Sequence, residues 1–166
     1  MHTTPSITIE FHDGHSTAAT AIVDNGIGQF NNAAAPLHEV KPLSCFALTE
    51  AGAVIGGAVG RRWGACCELQ QLWVEPNHRR QGIARRLLTE FEARAVLHGC
   101  HSFFLETFSF QAPAFYQSLG YTVAHENSLF PHGIVKYLMV KQTVEGRGQA
   151  ARVASPSGEI GRFQEP

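Results

Sequence analysis

Six residues in one stretch have types and spacing that bear on chemistry: Arg79, Arg80, Gly82, Ala84, Arg85 and Arg86, within Arg-Arg-Gln-Gly-Ile-Ala-Arg-Arg. Ile83, Leu87, Phe91 and Ala95 recur at i, i+4 spacing from this point, so Gly82 stands where a helix begins. The first turn of a helix leaves backbone N–H groups without partners, and the macrodipole adds partial positive charge there. A glycine at the start keeps the backbone open to close approach by a phosphate. Cations favour the opposite end of a helix, so the four arginines oppose the dipole and one another. An anion held in the loop relieves both conflicts. For an isolated Gly-x-Ala the plain alternative is a solvated basic turn. A Walker loop is excluded because Gly-Lys-Ser/Thr is missing. A dinucleotide loop is excluded because one glycine stands where three are needed.

The flanks narrow the choice. Leu72-Trp73-Val74-x-Pro76 precedes Arg79-x-x-Gly82-x-Ala84, and Arg85-Arg86-Leu87-Leu88 follows. This spacing resembles the signature of the GNAT superfamily, the acyl-CoA-dependent N-acyltransferases. Phe115-Tyr116-x-x-Leu119-Gly120-Tyr121 resembles the second signature of that family. The resemblance runs from about Val40 to Lys141. The string Thr107-Phe108-Ser109-Phe110-Gln111-Ala112-Pro113 looks like a subgroup of small bacterial GNAT proteins.

The resemblance implies a set of roles. Coenzyme A pyrophosphate rests on the amides of Arg79, Arg80, Gln81, Gly82, Ile83, Ala84 and Arg85. The backbone of Leu72, Trp73 and Val74 pairs with the pantetheine arm as an added strand. Ser109, where the family often has asparagine, and Ala112 lie along the same arm. Tyr116 protonates the leaving thiolate, for which a well-placed phenol suffices; the plain alternative is that it packs a short helix. A base for the amine has three candidates. Gln70 stands where many relatives carry a glutamate, and an amide cannot take a proton. Strand alternation puts Glu68 on the face of Gln70, and Glu106 lies on the neighbouring strand. Water is the third. Acetyl-CoA is then the co-substrate, and the acceptor is a primary amine, a small molecule first. A peptide acceptor, or a regulatory module that binds coenzyme A without turnover, are the alternatives. Cys66 and Cys67 suggest an acyl-cysteine route only weakly, since no histidine has a base role beside them.

These residues need a scaffold. Ile7, Ile9 and Phe11 alternate with polar residues and predict a strand over Ser6–Phe11. A helix from Ser16 or Thr17 to about Asp24 comes next, and then a short helix and loop over Asn25–Pro42. Cys45–Thr49, Ala53–Arg62 and Ala65–Val74 read as three antiparallel strands, with a hairpin turn at Glu50-Ala51-Gly52. A helix from Gly82 ends near His98, where Gly99 supplies the C-terminal glycine. Ser102–Thr107 follows as a parallel strand by right-handed crossover. A short helix over Ala112–Leu119 and strands over Tyr121–Glu126 and Ile134–Val140 complete the pattern. The family implies an α/β (α+β) fold: a mixed, mostly antiparallel sheet of six to seven strands with about four helices, splayed after Val74. Residues 1–142 make one domain. Residues 143–166 carry four glycines and two prolines without periodicity and read as a flexible tail.

Composition fits a folded chain: 166 residues, 44% apolar and 16% charged. The net charge of −1 supplies no general attraction to nucleic acid or an anionic membrane, so neither is an expected partner. The sequence has no apolar run of about 18 residues and no secretory leader pattern at its start, which predicts a cytoplasmic protein. The four cysteines and nine histidines lack zinc-ligand spacing, so no metal is expected, and the cysteines read as reduced thiols. A homodimer is compatible with all of this.

Overall fold

The computed structural model describes residues 7–14 and 17–143. The chain divides into two compact units, Met1–Glu39 and Val40–Pro166.

In the first unit, helix α1 spans Thr17–Ala34, and a 3-10 turn follows at Leu37–Glu39. The helix corrects two expectations. It does not stop near Asp24, and residues 25–34 continue the same helix instead of forming a separate short helix and loop. Ala18, Ile22, Val23, Ile27 and Phe30 repeat at helical spacing through Gly26 and Gly28, where i, i+4 neighbours meet along the helix surface, although none of them is buried. The strand predicted over Ser6–Phe11 is also corrected. Residues 7–12 have no ladder partner among the described residues, and Ile7, Ile9 and Phe11 are exposed. An apolar alternation becomes a strand only where an edge receives its N–H and C=O groups.

Among the described residues, the second unit is a six-stranded sheet with two α-helices. Its strands are β1 (Lys41–Leu48), β2 (Val54–Trp63), β3 (Cys66–Val74), β4 (Ser102–Phe108), β5 (Thr122–Asn127) and β6 (Lys136–Gln142). Helix α2 (Ile83–Leu97) lies between β3 and β4, and the short helix α3 (Pro113–Gln117) between β4 and β5. The strand order is β1-β2-β3-β4-β6-β5, antiparallel except for β3 against β4. Gly52, at φ +82°, makes the β1–β2 turn, in which the Thr49 amide donates to the Ala53 carbonyl. Thr143, where the expected tail begins, donates its N–H to the His101 carbonyl; residues 144–166 lie outside the described ones.

The core forms between the sheet and α2. Leu69, Leu87, Leu88, Phe91, Ala95, Phe103, Leu105 and Met139 are buried there. Each large side chain so buried contributes roughly 1.5–3 kcal/mol. Close approach of α2 depends on small residues in β2. A Cβ at Gly56 would lie 3.3 Å from the Leu87 side chain, and one at Gly60 would lie 2.9 Å from Phe91. Gly60 has a second duty, because a Cβ there would also collide with the Glu68 carbonyl oxygen. At that point the β2–β3 register slips: Gly60 pairs with Leu69 and Val59 with Gln71, leaving Gln70 as the extra residue of a β-bulge.

Among the described residues, no helix is long and apolar enough to cross a membrane, and no group of three or more His, Cys, Asp or Glu could hold a metal ion.

Candidate active site

The parallel pairing of β3 with β4 is short. It runs from Cys66 opposite Ser102 to Leu69 opposite Leu105 and stops. Past that point β3 continues to Val74 and β4 to Phe108 without pairing with each other. Two diverging strands leave a wedge with backbone groups unpaired along its walls. A cavity of about 710 Å³ fills it, lined by Gln70–Val74, Arg79, Ala84, Glu106, Thr107, Phe110–Ala112, Phe115 and Tyr116. A second cavity of about 280 Å³ shares Val74, Arg79, Ala84 and Phe115 with the first and adds Arg80, Gly82, Ile83 and Arg85.

The smaller cavity is the start of α2. Gly82, at φ +76°, is the N-cap and has no side chain with which to cap. The first intrahelical bond is from the Arg86 amide to the Gly82 carbonyl, at 3.1 Å. The amides of Ile83, Ala84 and Arg85 therefore have no partner within the helix and no side-chain cap. Arg80 takes φ +60°, which turns the loop tightly. Arg79 is the staple: its Nε donates to the Val74 carbonyl at 2.9 Å, tying the loop to the end of β3. Arg85 reaches α3, where its Nη2 donates to Ser118 Oγ at 3.2 Å. Unpaired amides, a helix dipole and arginines converge on one small hollow, which is what a phosphate group requires. Gln81 lines neither cavity and turns its side chain back to the Asn77 carbonyl.

The wedge passes through the sheet. Helix α2 packs on the face of Gly56, Ala58 and Gly60, and their partners Val74, Leu72 and Leu69 share it. In β4, Leu105 and Thr107 continue that face, while Glu106 and Phe108 project from the opposite one. Tyr116, on α3, enters the wedge from the helix side. Its ring packs edge-on to Phe115 and Tyr121, at centroid distances of 5.3 and 5.9 Å. Its hydroxyl has no hydrogen-bond partner among the described residues. Burial raises its pKa above the ordinary value, so the phenol holds its proton at neutral pH. Glu106 enters from the other side, with Lys136 Nζ 2.5 Å from its Oε2. A protonated acid and a carboxylate thus reach one gap from opposite faces of the sheet.

Other expected positions fall elsewhere. Glu68 does not line the wedge. The bulge at Gln70 breaks the two-residue period, so Glu68 shares a face with Gln71 and Trp73, not with Gln70. Its Oε2 is 2.5 Å from Arg61 Nε across the β2–β3 ladder. Ser109 is also off the wedge. Its Oγ accepts from the Val135 amide at 3.1 Å, and its own amide donates to the Val135 carbonyl at 2.8 Å. Leu72, Trp73, Val74 and Ala112 do line it.

Sequence reasoning missed Gln111 and Phe110. Gln111 Oε1 accepts from the Phe108 amide at 2.8 Å and from Thr107 Oγ1 at 3.1 Å, which shapes the turn leaving β4. Both residues sit inside the Thr107–Pro113 string, the one signal pointing to them. The thiols are disfavoured as thiolates and lie away from the wedge. Burial pushes Cys67 up to about 12 and raises Cys45, Cys66 and Cys100 as well, and none lines the wedge.

Comparison with known proteins agrees with this geometry. The family model for the acetyltransferase (GNAT) family matches residues 13–121. A blasticidin-S acetyltransferase of Streptomyces morookaense is 38% identical over 111 residues, which are 64% of this chain and 82% of that one. The crystal structure of an acetyltransferase from Bacillus cereus ATCC 14579, 26% identical, matches with a TM-score of 0.68 over 81% of this chain and 98% of that one. A chain from Agrobacterium tumefaciens, 22% identical, matches with a TM-score of 0.70 over 82% of this chain and 100% of that one, a likeness of fold alone.

Proposed function

The chain belongs to the acetyltransferase (GNAT) family, and from that premise we propose that it moves an acetyl group from acetyl-CoA directly to the primary amine of a small molecule. The observation that carries this reading is the wedge open to both faces of the sheet, with the uncapped start of α2 at one end. Acetyl-CoA is a co-substrate, and the hollow suits its pyrophosphate: the amides of Ile83, Ala84 and Arg85 and the side chain of Arg80 supply donors and positive charge. The margin of β3 over Leu72–Val74 that faces the wedge offers ladder groups, apart from the Val74 carbonyl that Arg79 takes, to the amide-bearing pantetheine arm. The thioester so placed lies between Tyr116 and Glu106.

Each group then has a task. An ammonium is not a nucleophile, so the acceptor must lose a proton before attack. Glu106 takes it, directly or through water. To do so it exchanges Lys136 for the incoming ammonium, a like-for-like replacement of cations. Nitrogen attacks the acetyl carbon, the carbon–sulfur bond breaks, and Tyr116 gives its proton to the departing thiolate. The nitrogen sheds its second proton to the phenolate through water, which restores the phenol, and the proton on Glu106 passes to solvent. The cysteines stay outside, so no acyl-enzyme forms. The relative from Streptomyces morookaense is named for blasticidin S, a small molecule, and this favours a small acceptor over a peptide.

The test is free-thiol release from acetyl-CoA across a panel of small amines and amine-bearing peptides, with mass spectrometry of the acetylated product. One or more small amines should turn over, and Glu106→Gln should lower kcat by on the order of 10²-fold, the usual worth of one positioned base. Turnover confined to peptides would reassign the acceptor. Coenzyme A binding with no turnover of any amine would favour a regulatory module.

A further inference from the structure

The rim of the wedge on the Glu106 side is aromatic, and the path from β4 into the next loop builds it. The Phe108 and Phe110 rings lie parallel, 5.3 Å between centroids and 9° between planes. Phe130, from the β5–β6 connection, meets Phe108 edge-on at 5.4 Å and 83°. Phe110 is 68% exposed, yet it lines the same cavity as Glu106 and Tyr116. A lone exposed phenylalanine is ordinary. This one is held in place from both sides. Ser109 before it exchanges two hydrogen bonds with Val135, and Gln111 after it exchanges two with the backbone of Phe108. Phe108 supports one face of the Phe110 ring, and no ring among the described residues covers the other.

We infer that Phe110 is a specificity-determining platform, and that the acceptor amine carries a flat aromatic or heteroaromatic ring that stacks on its open face. The charge arrangement agrees. Glu106 and Phe108 are i, i+2 on one face of β4, roughly 7 Å apart along the strand. Lys136 pairs with Glu106 and stands 5.8 Å from the Phe108 ring centroid, so the protein already places a cation between carboxylate and ring. An acceptor with an ammonium a few bonds from a ring reproduces that pattern, its nitrogen at Glu106 and its ring over Phe110. The inference rests on the transfer reaction proposed above for the position of the amine, and on the three rings alone for the platform.

The experiment uses two probe amines of equal length, 3-phenylpropylamine and 3-cyclohexylpropylamine, with acetyl-CoA at saturation. The wild type should favour the aromatic amine roughly three- to tenfold in kcat/KM, the usual worth of one stacked ring pair. Phe110→Leu should bring the ratio close to one by raising KM for the aromatic amine, and Phe110→Trp should restore it. The exposure of Phe110 keeps these variants folded. Equal use of both amines by the wild type, or an unchanged ratio in Phe110→Leu, overturns the platform. Saturation-transfer NMR on the coenzyme A-loaded protein gives a reading independent of turnover. If neither amine is acetylated, transfer is refuted for these probes. Ring contact by the aromatic amine that disappears in Phe110→Leu still supports the platform, and its absence in the wild type refutes it.

Discussion

At the scale of residues, Tyr116 is set apart by what it lacks. Tyr121, its ring neighbour, donates its hydroxyl to Glu92 Oε1 at 2.9 Å, whereas the Tyr116 hydroxyl meets no acceptor among the described residues. Phe115 and Tyr121 fix its ring, so the hydroxyl is aimed without being engaged. Burial disfavours the phenolate, and the phenol therefore stays an acid throughout the neutral range. Tyr116→Phe should lower kcat by on the order of 10²-fold while acetyl-CoA affinity measured by calorimetry is nearly kept. The raised pKa has its own consequence: below pH 10 the wild-type rate profile should show no falling limb that vanishes in Tyr116→Phe. Wild-type turnover by the variant would move the proton donor to water.

At the scale of elements, the β3–loop–α2 unit works as one part. Arg79 closes it against Val74, Gly82 turns it, and the first turn of α2 presents its amides outward. A Cβ at Gly82 would meet no atom within 4 Å, so the side chain of Gly82→Glu can start there without a clash, although φ +76° costs about 1–2 kcal/mol for a residue with a Cβ. The added carboxylate then occupies the hollow and repels a pyrophosphate. Calorimetry should show acetyl-CoA binding lost, with the far-UV circular dichroism of the wild type preserved. Unchanged affinity in a folded variant would place the pyrophosphate elsewhere. The bulge at Gln70 is a second device at this scale. It re-aims β3 just before the strands part, and Gly60 makes room for it.

At the scale of the molecule, the sheet-and-helix unit is held by groups that must stay neutral or paired. Glu92 on α2 accepts from Tyr121 at the start of β5 and lies 2.5 Å from Lys141 Nζ on β6. Nearby, Cys67 is fully buried, and burial is the first cause of its rise from 9.0 to about 12. Its folded pKa exceeds its unfolded one, so the stability it contributes is complete below about pH 9 and is lost as pH rises toward 12. Each unit in that window removes up to roughly 1.4 kcal/mol. Tyr121 shifts in the same direction, mainly by burial. Thermal unfolding between pH 8 and pH 10.5 should show a falling midpoint above pH 9, and Cys67→Ala should flatten that fall even if it lowers the midpoint overall. An identical slope in the variant would remove Cys67 from the account.

The sequence by itself determined whatever depends on local pattern. Ile83, Leu87, Phe91 and Ala95 announced α2, and Gly82 announced the uncapped turn at its start, because period and capping are properties of a few adjacent residues. The two signatures, and with them the sheet and the place of Tyr116, were legible for the same reason. Alternation failed twice, at residues 7–12 and at Gln70. Whether a strand forms, and whether its period is broken, depends on the partner across the ladder. Gly60 and Glu68 are neighbours only after folding, and their contact sets the bulge that turns Glu68 away. The choice of Glu106 as the carboxylate in the wedge is likewise tertiary. It follows from where β3 and β4 stop pairing and from Lys136, thirty residues on, arriving beside it. The aromatic rim joins Phe108 and Phe110 to Phe130 from another loop. No spacing along one chain segment encodes a distance between two, so only the folded sheet could decide it.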